Sequence, residues 1–127
     1  MAVDADGNCY VAESAAGRVS RLAPGKAEAV LDGLQSPHGL LVAGEKLYVI
    51  DAGAKELVEC DLAGGAPRRI AGSLPVGAPL GVIPKPLHAI GELAGPMLSF
   101  TGLARDADGT LYVSADAEGS VLALRPG

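Results

Sequence analysis

Tryptophan is absent from the 127 residues, phenylalanine occurs once and tyrosine three times. A core made from this chain must therefore be aliphatic, and with 49% of residues apolar there is ample material for one. Cysteine is scarce as well. Cys9 and Cys60 fall in different parts of the chain, which argues against a disulfide, and without partnering histidines they make no zinc site. Clustered positive charge is missing: the formal charge is −5 and Arg68-Arg69 is the one basic pair, so a nucleic-acid partner is not expected. No run is long and apolar enough to span a bilayer, and Met1-Ala2-Val3-Asp4 lacks the basic and apolar regions of a signal peptide. The expectation is a soluble, cytoplasmic protein with no membrane partner. Helical rhythm is also absent, because no long stretch carries apolar residues at i, i+3 and i+4. Instead 18 glycines and nine prolines punctuate short apolar runs, which is the pattern of an all-β chain.

What is present is a repeat. Ala2-Val3-Asp4-Ala5-Asp6-Gly7-Asn8-Cys9-Tyr10-Val11 matches Ala104-Arg105-Asp106-Ala107-Asp108-Gly109-Thr110-Leu111-Tyr112-Val113. The match continues through Gly17 and Gly119, Val19 and Val121, and Leu22 and Leu124, to Pro24-Gly25 and Pro126-Gly127. A middle copy runs from Gly39-Leu40-Leu41-Val42 through Lys46-Leu47-Tyr48-Val49 to Leu57 and Cys60, so all three tyrosines occupy one repeat position.

Each copy divides into short strands. In the first, Ala2–Asp4, Cys9–Glu13, Arg18–Ala23 and Ala27–Leu31 alternate with turns at Asp4-Ala5-Asp6-Gly7-Asn8, Ser14-Ala15-Ala16-Gly17 and Pro24-Gly25-Lys26. Four antiparallel strands in about forty residues is the size of one β-propeller blade. The fold expectation is a partial β-propeller within one domain, 1–127. Blade 1 spans about 1–37, blade 2 about 38–74 and blade 3 about 100–127, with the outer strand of blade 3 missing. One blade cannot bury both of its faces, so blades must stack. Three of them leave open faces and edges, which points either to a fragment of a longer propeller or to a homo-oligomer; two copies would close a six-bladed ring.

The motif Asp4-Ala5-Asp6-Gly7-Asn8-Cys9-Tyr10-Val11-Ala12-Glu13, followed by Gly17-Arg18-Val19, resembles NHL-type repeats. It is also similar to the gluconolactonase/senescence-marker and strictosidine-synthase-like six-bladed propellers, over almost the whole chain except residues 75–99. More distantly, Tyr10-Val11-Ala12-Glu13-Ser14 with Gly17-Arg18-Val19 resembles the blades of streptogramin-lyase-like enzymes. The gluconolactonase resemblance implies a divalent cation such as Ca²⁺ in the channel mouth, held by carboxylates and Asn side chains at the starts of inner strands. The corresponding positions here are His38 and Thr101. A histidine is a poor Ca²⁺ ligand and a threonine hydroxyl is weaker than a carboxylate, so the cage is not written in this chain.

Several residues are candidates for chemistry. Glu13, Asp51 and, shifted by one, Asp116 stand at the ends of second strands, on the face where His38 and Thr101 begin the inner strands. Ser14 and Ser99 join them there. A histidine among carboxylates at a channel mouth could bind a cation, with His38, Glu13 and Asp51 as ligands, or perform general acid–base chemistry. The plainer alternative is that each caps a turn or bonds local backbone amides. The Asp4-x-Asp6-Gly7 and Asp106-x-Asp108-Gly109 motifs look like the start of a Ca²⁺ loop, but a hairpin needs an Asp and a Gly there anyway. Cys9 and Cys60 replace aliphatic residues of other copies and are expected in the core, and the tyrosines are expected between blades. The Gly/Pro-rich apolar segment 75–99 breaks the repeat. It reads either as a lid carrying Lys85, His88 or Glu92, or as an interface. The functional expectation is an NHL-like module that binds a small ligand or protein partner at the channel mouth and self-assembles. The alternative is a metal-dependent, gluconolactonase-like hydrolase whose site is incomplete in one chain.

Overall fold

The computed structural model describes residues 1–64, 66–76, 102–115 and 120–125. Among them are eleven strands: β1 (Ala2–Val3), β2 (Cys9–Glu13), β3 (Arg18–Ala23), β4 (Lys26–Leu31), β5 (Pro37–Ala43), β6 (Lys46–Asp51), β7 (Glu56–Asp61), β8 (Arg68–Ala71), β9 (Leu103–Arg105), β10 (Leu111–Ala115) and β11 (Ser120–Leu124). They form three antiparallel sheets, β1-β2-β3-β4, β5-β6-β7-β8 and β9-β10-β11, named here sheets 1, 2 and 3. The chain is all-β, as its turn-punctuated sequence implied, and no α-helix occurs among the described residues. The segment 77–101, with Lys85, His88, Glu92 and Thr101, lies outside the described residues, as does Asp116.

The strand ends are set by side chains that close their own turns. Asp4 Oδ1 accepts the amides of Asp6 (3.0 Å) and Asn8 (2.8 Å), while Gly7 takes φ +85°, which only glycine adopts at no cost. The later copy repeats this: Asp106 Oδ1 accepts from Asp108 (2.9 Å) and Thr110 (3.0 Å), with Gly109 at φ +88°. The aspartates of both Asp-x-Asp-Gly motifs therefore spend one oxygen on the hairpin. Sheet 2 lacks the aspartate and reverses within Gly44-Glu45, between the paired Ala43 and Lys46.

At the opposite end a second device recurs. Gly17, at φ +65°, accepts the Leu34 amide on its carbonyl at 2.9 Å, and a Cβ there would lie 2.2 Å from the Leu34 carbonyl oxygen. In sheet 2 Lys55 takes the same position, at φ +58°, and accepts the Leu74 amide at 3.0 Å. Each β2–β3-type turn is thereby tied to the strand connection that leaves its sheet.

Side chains alternate along every strand, giving each sheet two faces. One carries the repeat position of Tyr10, Tyr48 and Tyr112; the other carries that of Cys9, Leu47 and Leu111. The tyrosine face of sheet 1 (Tyr10, Val19, Leu31) meets Leu40, Leu47, Val49, Val58 and Cys60 of sheet 2 in one apolar cluster. The tyrosine face of sheet 2 (Ile50, Leu57, with Tyr48 partly buried) meets Leu111 and Val113 of sheet 3 in another. Full burial of an aliphatic side chain contributes on the order of 1.5–3 kcal/mol, so Val19, Leu47, Val49, Ile50 and Leu57 anchor these two junctions.

Two sequence expectations need correction. Cys60 is buried, but Cys9 is half-buried, because it stands on the face of sheet 1 that no described residue covers. Tyr10 packs between sheets, whereas Tyr112 is 37% exposed, on a face of sheet 3 that no other described residue covers.

Candidate functional site

The second strands of sheets 1 and 2 end at Glu13 and Asp51, close to the start of β5 at Pro37. Hairpin register explains Glu13 first. It sits directly opposite Arg18 at the turn end of the β2–β3 ladder, where an opposite-charge pair is favoured. Glu13 Oε2 accepts Arg18 Nε at 2.6 Å and Ser20 Oγ at 2.5 Å, and Oε1 accepts Arg18 Nη2 at 3.2 Å. The hydrogen bond from Arg18, then that from Ser20, hold the Glu13 carboxyl at about 2, well below the usual carboxylate range.

Asp51 is 2% exposed and fully committed to backbone. Its Oδ1 accepts the amides of Ser36 (2.8 Å), Gly53 (3.1 Å) and Ala54 (3.2 Å), and its Oδ2 accepts that of Gln35 (2.8 Å). This carboxylate welds the approach to β5 onto the turn after β6, leaving little lone-pair capacity for a ligand.

His38 is held differently. Its Nε2 lies 3.0 Å from Ser36 Oγ and its Nδ1 3.5 Å from Ser14 Oγ. The Ser14 hydroxyl donates its one hydrogen to the Pro37 carbonyl at 2.6 Å, so toward His38 it can only accept. With the ring in its neutral form, this geometry is met by the tautomer that has hydrogen on Nδ1, facing Ser14, and leaves Nε2 to accept from Ser36. Ser14, Ser36 and the half-buried His38 thus form one polar constellation spanning sheets 1 and 2.

Of the residues singled out in the sequence, Ser14 and His38 are brought together; Glu13 and Asp51 stand near them but are engaged elsewhere. Ser36 was missed. Next to Pro37 it reads as an ordinary turn residue, and its role appears only once Asp51, fifteen residues away, fixes its amide. No group of three His, Cys, Asp or Glu side chains able to hold a metal ion occurs among the described residues, and Glu13, His38 and Asp51 do not fit the cation cage.

A second concavity lies at the other end of the sheets, between sheets 2 and 3. This groove of about 500 Å³ is lined by Tyr48, Glu59, Arg68, Leu111 and Arg125 among others. Lacking the turn aspartate, Tyr48 bonds Glu59 instead; Glu59 is also paired with Lys46 (3.1 Å) and Arg68 (3.2 Å), so one carboxylate there meets two cations.

No family model matches the chain, and a search of curated proteins returned no match. Fold and site geometry therefore carry the functional argument alone.

Proposed function

We propose that the three sheets are blades of a β-propeller of NHL-like type and that the module binds a small polar ligand at the channel mouth through Ser14, Ser36 and His38. The observation that carries this reading is the contrast within the mouth. Glu13 and Asp51 are consumed by structural bonds, while His38 rests on two serine hydroxyls that can exchange partners. Hydroxyls and an imidazole arranged in this way suit a ligand rich in hydroxyl or carboxylate groups. Two independent features support the blade reading: the strand order is the same in sheets 1 and 2, and consecutive sheets stack face to face. The experiment is a titration of the full chain with a sugar lactone and its acid, following the His38 ring protons by NMR. Binding that moves those resonances and vanishes in His38→Ala supports the site, and unchanged resonances at saturating ligand reject it.

A second reading, hydrolysis of the lactone, is favoured by one contact. Ser36 Oγ lies 3.0 Å from His38 Nε2, within the reach of a general base activating a hydroxyl. Turnover that is lost in both Ser36→Ala and His38→Ala would select it, and binding without turnover selects the first reading. The metal-dependent route is not carried forward, because its described carboxylates, Glu13 and Asp51, are already engaged by Arg18, Ser20 and backbone amides.

A further inference from the structure

Repeat positions buried at both internal junctions are exposed at the two ends of the stack. Val19 and Leu57, equivalent residues on the tyrosine faces of sheets 1 and 2, are 0% exposed; Val121, their counterpart on sheet 3, is 69% exposed. On the opposite face Cys60 of sheet 2 is 5% exposed and its counterpart Leu22 on sheet 1 is 47% exposed. The two faces that no described residue covers are therefore of the two kinds that already mate twice within the chain: a tyrosine face on sheet 3 and a Cys9/Leu47/Leu111-type face on sheet 1.

We infer that the Tyr112 face of sheet 3 docks on the Cys9 face of sheet 1 of a second copy, reproducing the internal junction and closing a pair of chains into a ring. This rests on the propeller reading above. Charge does not oppose the contact. The sheet 3 face presents Ala104, Tyr112, Ser114, Val121 and Ala123, and the charges on the sheet 1 face, Glu13 and Arg18, neutralise each other. The Tyr112 hydroxyl is satisfied by Asp106, so its ring can be covered without orphaning a donor. An unrelated partner would have to reproduce the chemistry of a mate that every copy already carries. Since the mating faces differ, the contact is head-to-tail, and such contacts end only where rotation closes them. Rings of this architecture hold about four to eight sheets, and two copies of the 127-residue chain bring six described sheets to the ring.

The test uses the full chain, Val121→Asp and Leu22→Lys, measured by sedimentation and native mass spectrometry. Both side chains are exposed, so neither substitution disturbs the internal junctions. The wild type is expected at twice the chain mass. Each variant alone damages both contacts of the pair and is expected to associate roughly a hundredfold more weakly, because a charge enters a desolvated joint. An equimolar mixture of the two variants is expected to recover association, since a mixed pair keeps one unmodified contact. A monomeric wild type overturns the inference. So does a Leu22→Lys chain that associates normally, which would mean that sheet 3 pairs with itself, and so does a mass that keeps growing with concentration. Failure here is distinguishable from failure at the mouth: a monomer with His38-dependent binding retains the ligand reading, and a ring that ignores the lactone and its acid loses only that.

Discussion

The Tyr112 hydroxyl donates to Asp106 Oδ2 at 2.9 Å, while the other oxygen of the same carboxylate closes the turn that precedes the strand. The first copy builds the same unit, with Tyr10 donating to Asp4 Oδ2 at 3.0 Å. One aspartate thus shapes a hairpin and positions the tyrosine six residues later, which is why the two residue types recur together.

Asp4→Ala is expected to cost about 1–2 kcal/mol in chemical denaturation, because it removes a turn cap and leaves the buried Tyr10 hydroxyl without its acceptor. Asn at this position, which retains an acceptor oxygen for the turn, should lose less. Equal losses from the two substitutions would show that the turn bonds contribute little.

Alkaline titration gives a second check. The hydrogen bond to Asp106 raises the Tyr112 phenol above its ordinary value of 10.0, and burial followed by Asp4 raises Tyr10. A folded-state value above the unfolded one favours the protonated form, so this contribution is complete below pH 10.0 and fades as pH climbs through the folded values. Phenolate absorbance should therefore rise late, and Asp106→Asn should bring Tyr112 down toward 10.0. An unmoved titration in that variant counts against the pairing.

In acid the relevant group is Glu13, held at about 2 by Arg18 and Ser20 against an ordinary 4.5. Its folded value is depressed, so its contribution is present above pH 4.5 and is lost as pH falls toward 2. The melting temperature of the wild type should decline across that window, and Glu13→Gln should flatten the decline. A parallel decline in both proteins would assign it to other carboxylates.

Gly17→Ala is expected to destabilise the fold by about 2–4 kcal/mol, since the new Cβ would meet the Leu34 carbonyl oxygen and the backbone at φ +65° already disfavours a side chain. Asp51→Ala should cost about 2–5 kcal/mol, stripping the acceptor from four amides at once. Urea melts of both variants, with unchanged m-values, would confirm a loss of stability without a change of fold.

The strands were legible because the Tyr10, Tyr48 and Tyr112 positions align three copies, and alternation about each tyrosine then fixes which residues share a face. What could not be read was the fate of the end faces. Cys9 and Tyr112 look like core residues when aligned with Leu47 and Tyr48, yet burial depends on a neighbouring sheet, which no local pattern encodes. The site was half legible for a similar reason. Glu13 facing Arg18 follows from hairpin register, but the bonds linking Ser14 and Ser36 to His38 depend on how β5 is laid against the end of β2, a non-local arrangement that Asp51 secures.

The two unlike faces of each sheet have a consequence for how such a protein changes over time. A unit whose front fits the back of its own duplicate can be added or lost by copying a stretch of gene, with no new recognition surface to invent. Within this chain the positions at the joints are aliphatic, as at Val19, Ile50 and Leu57, while the end face of sheet 3 carries Ser114 at the position that Ile50 fills in sheet 2.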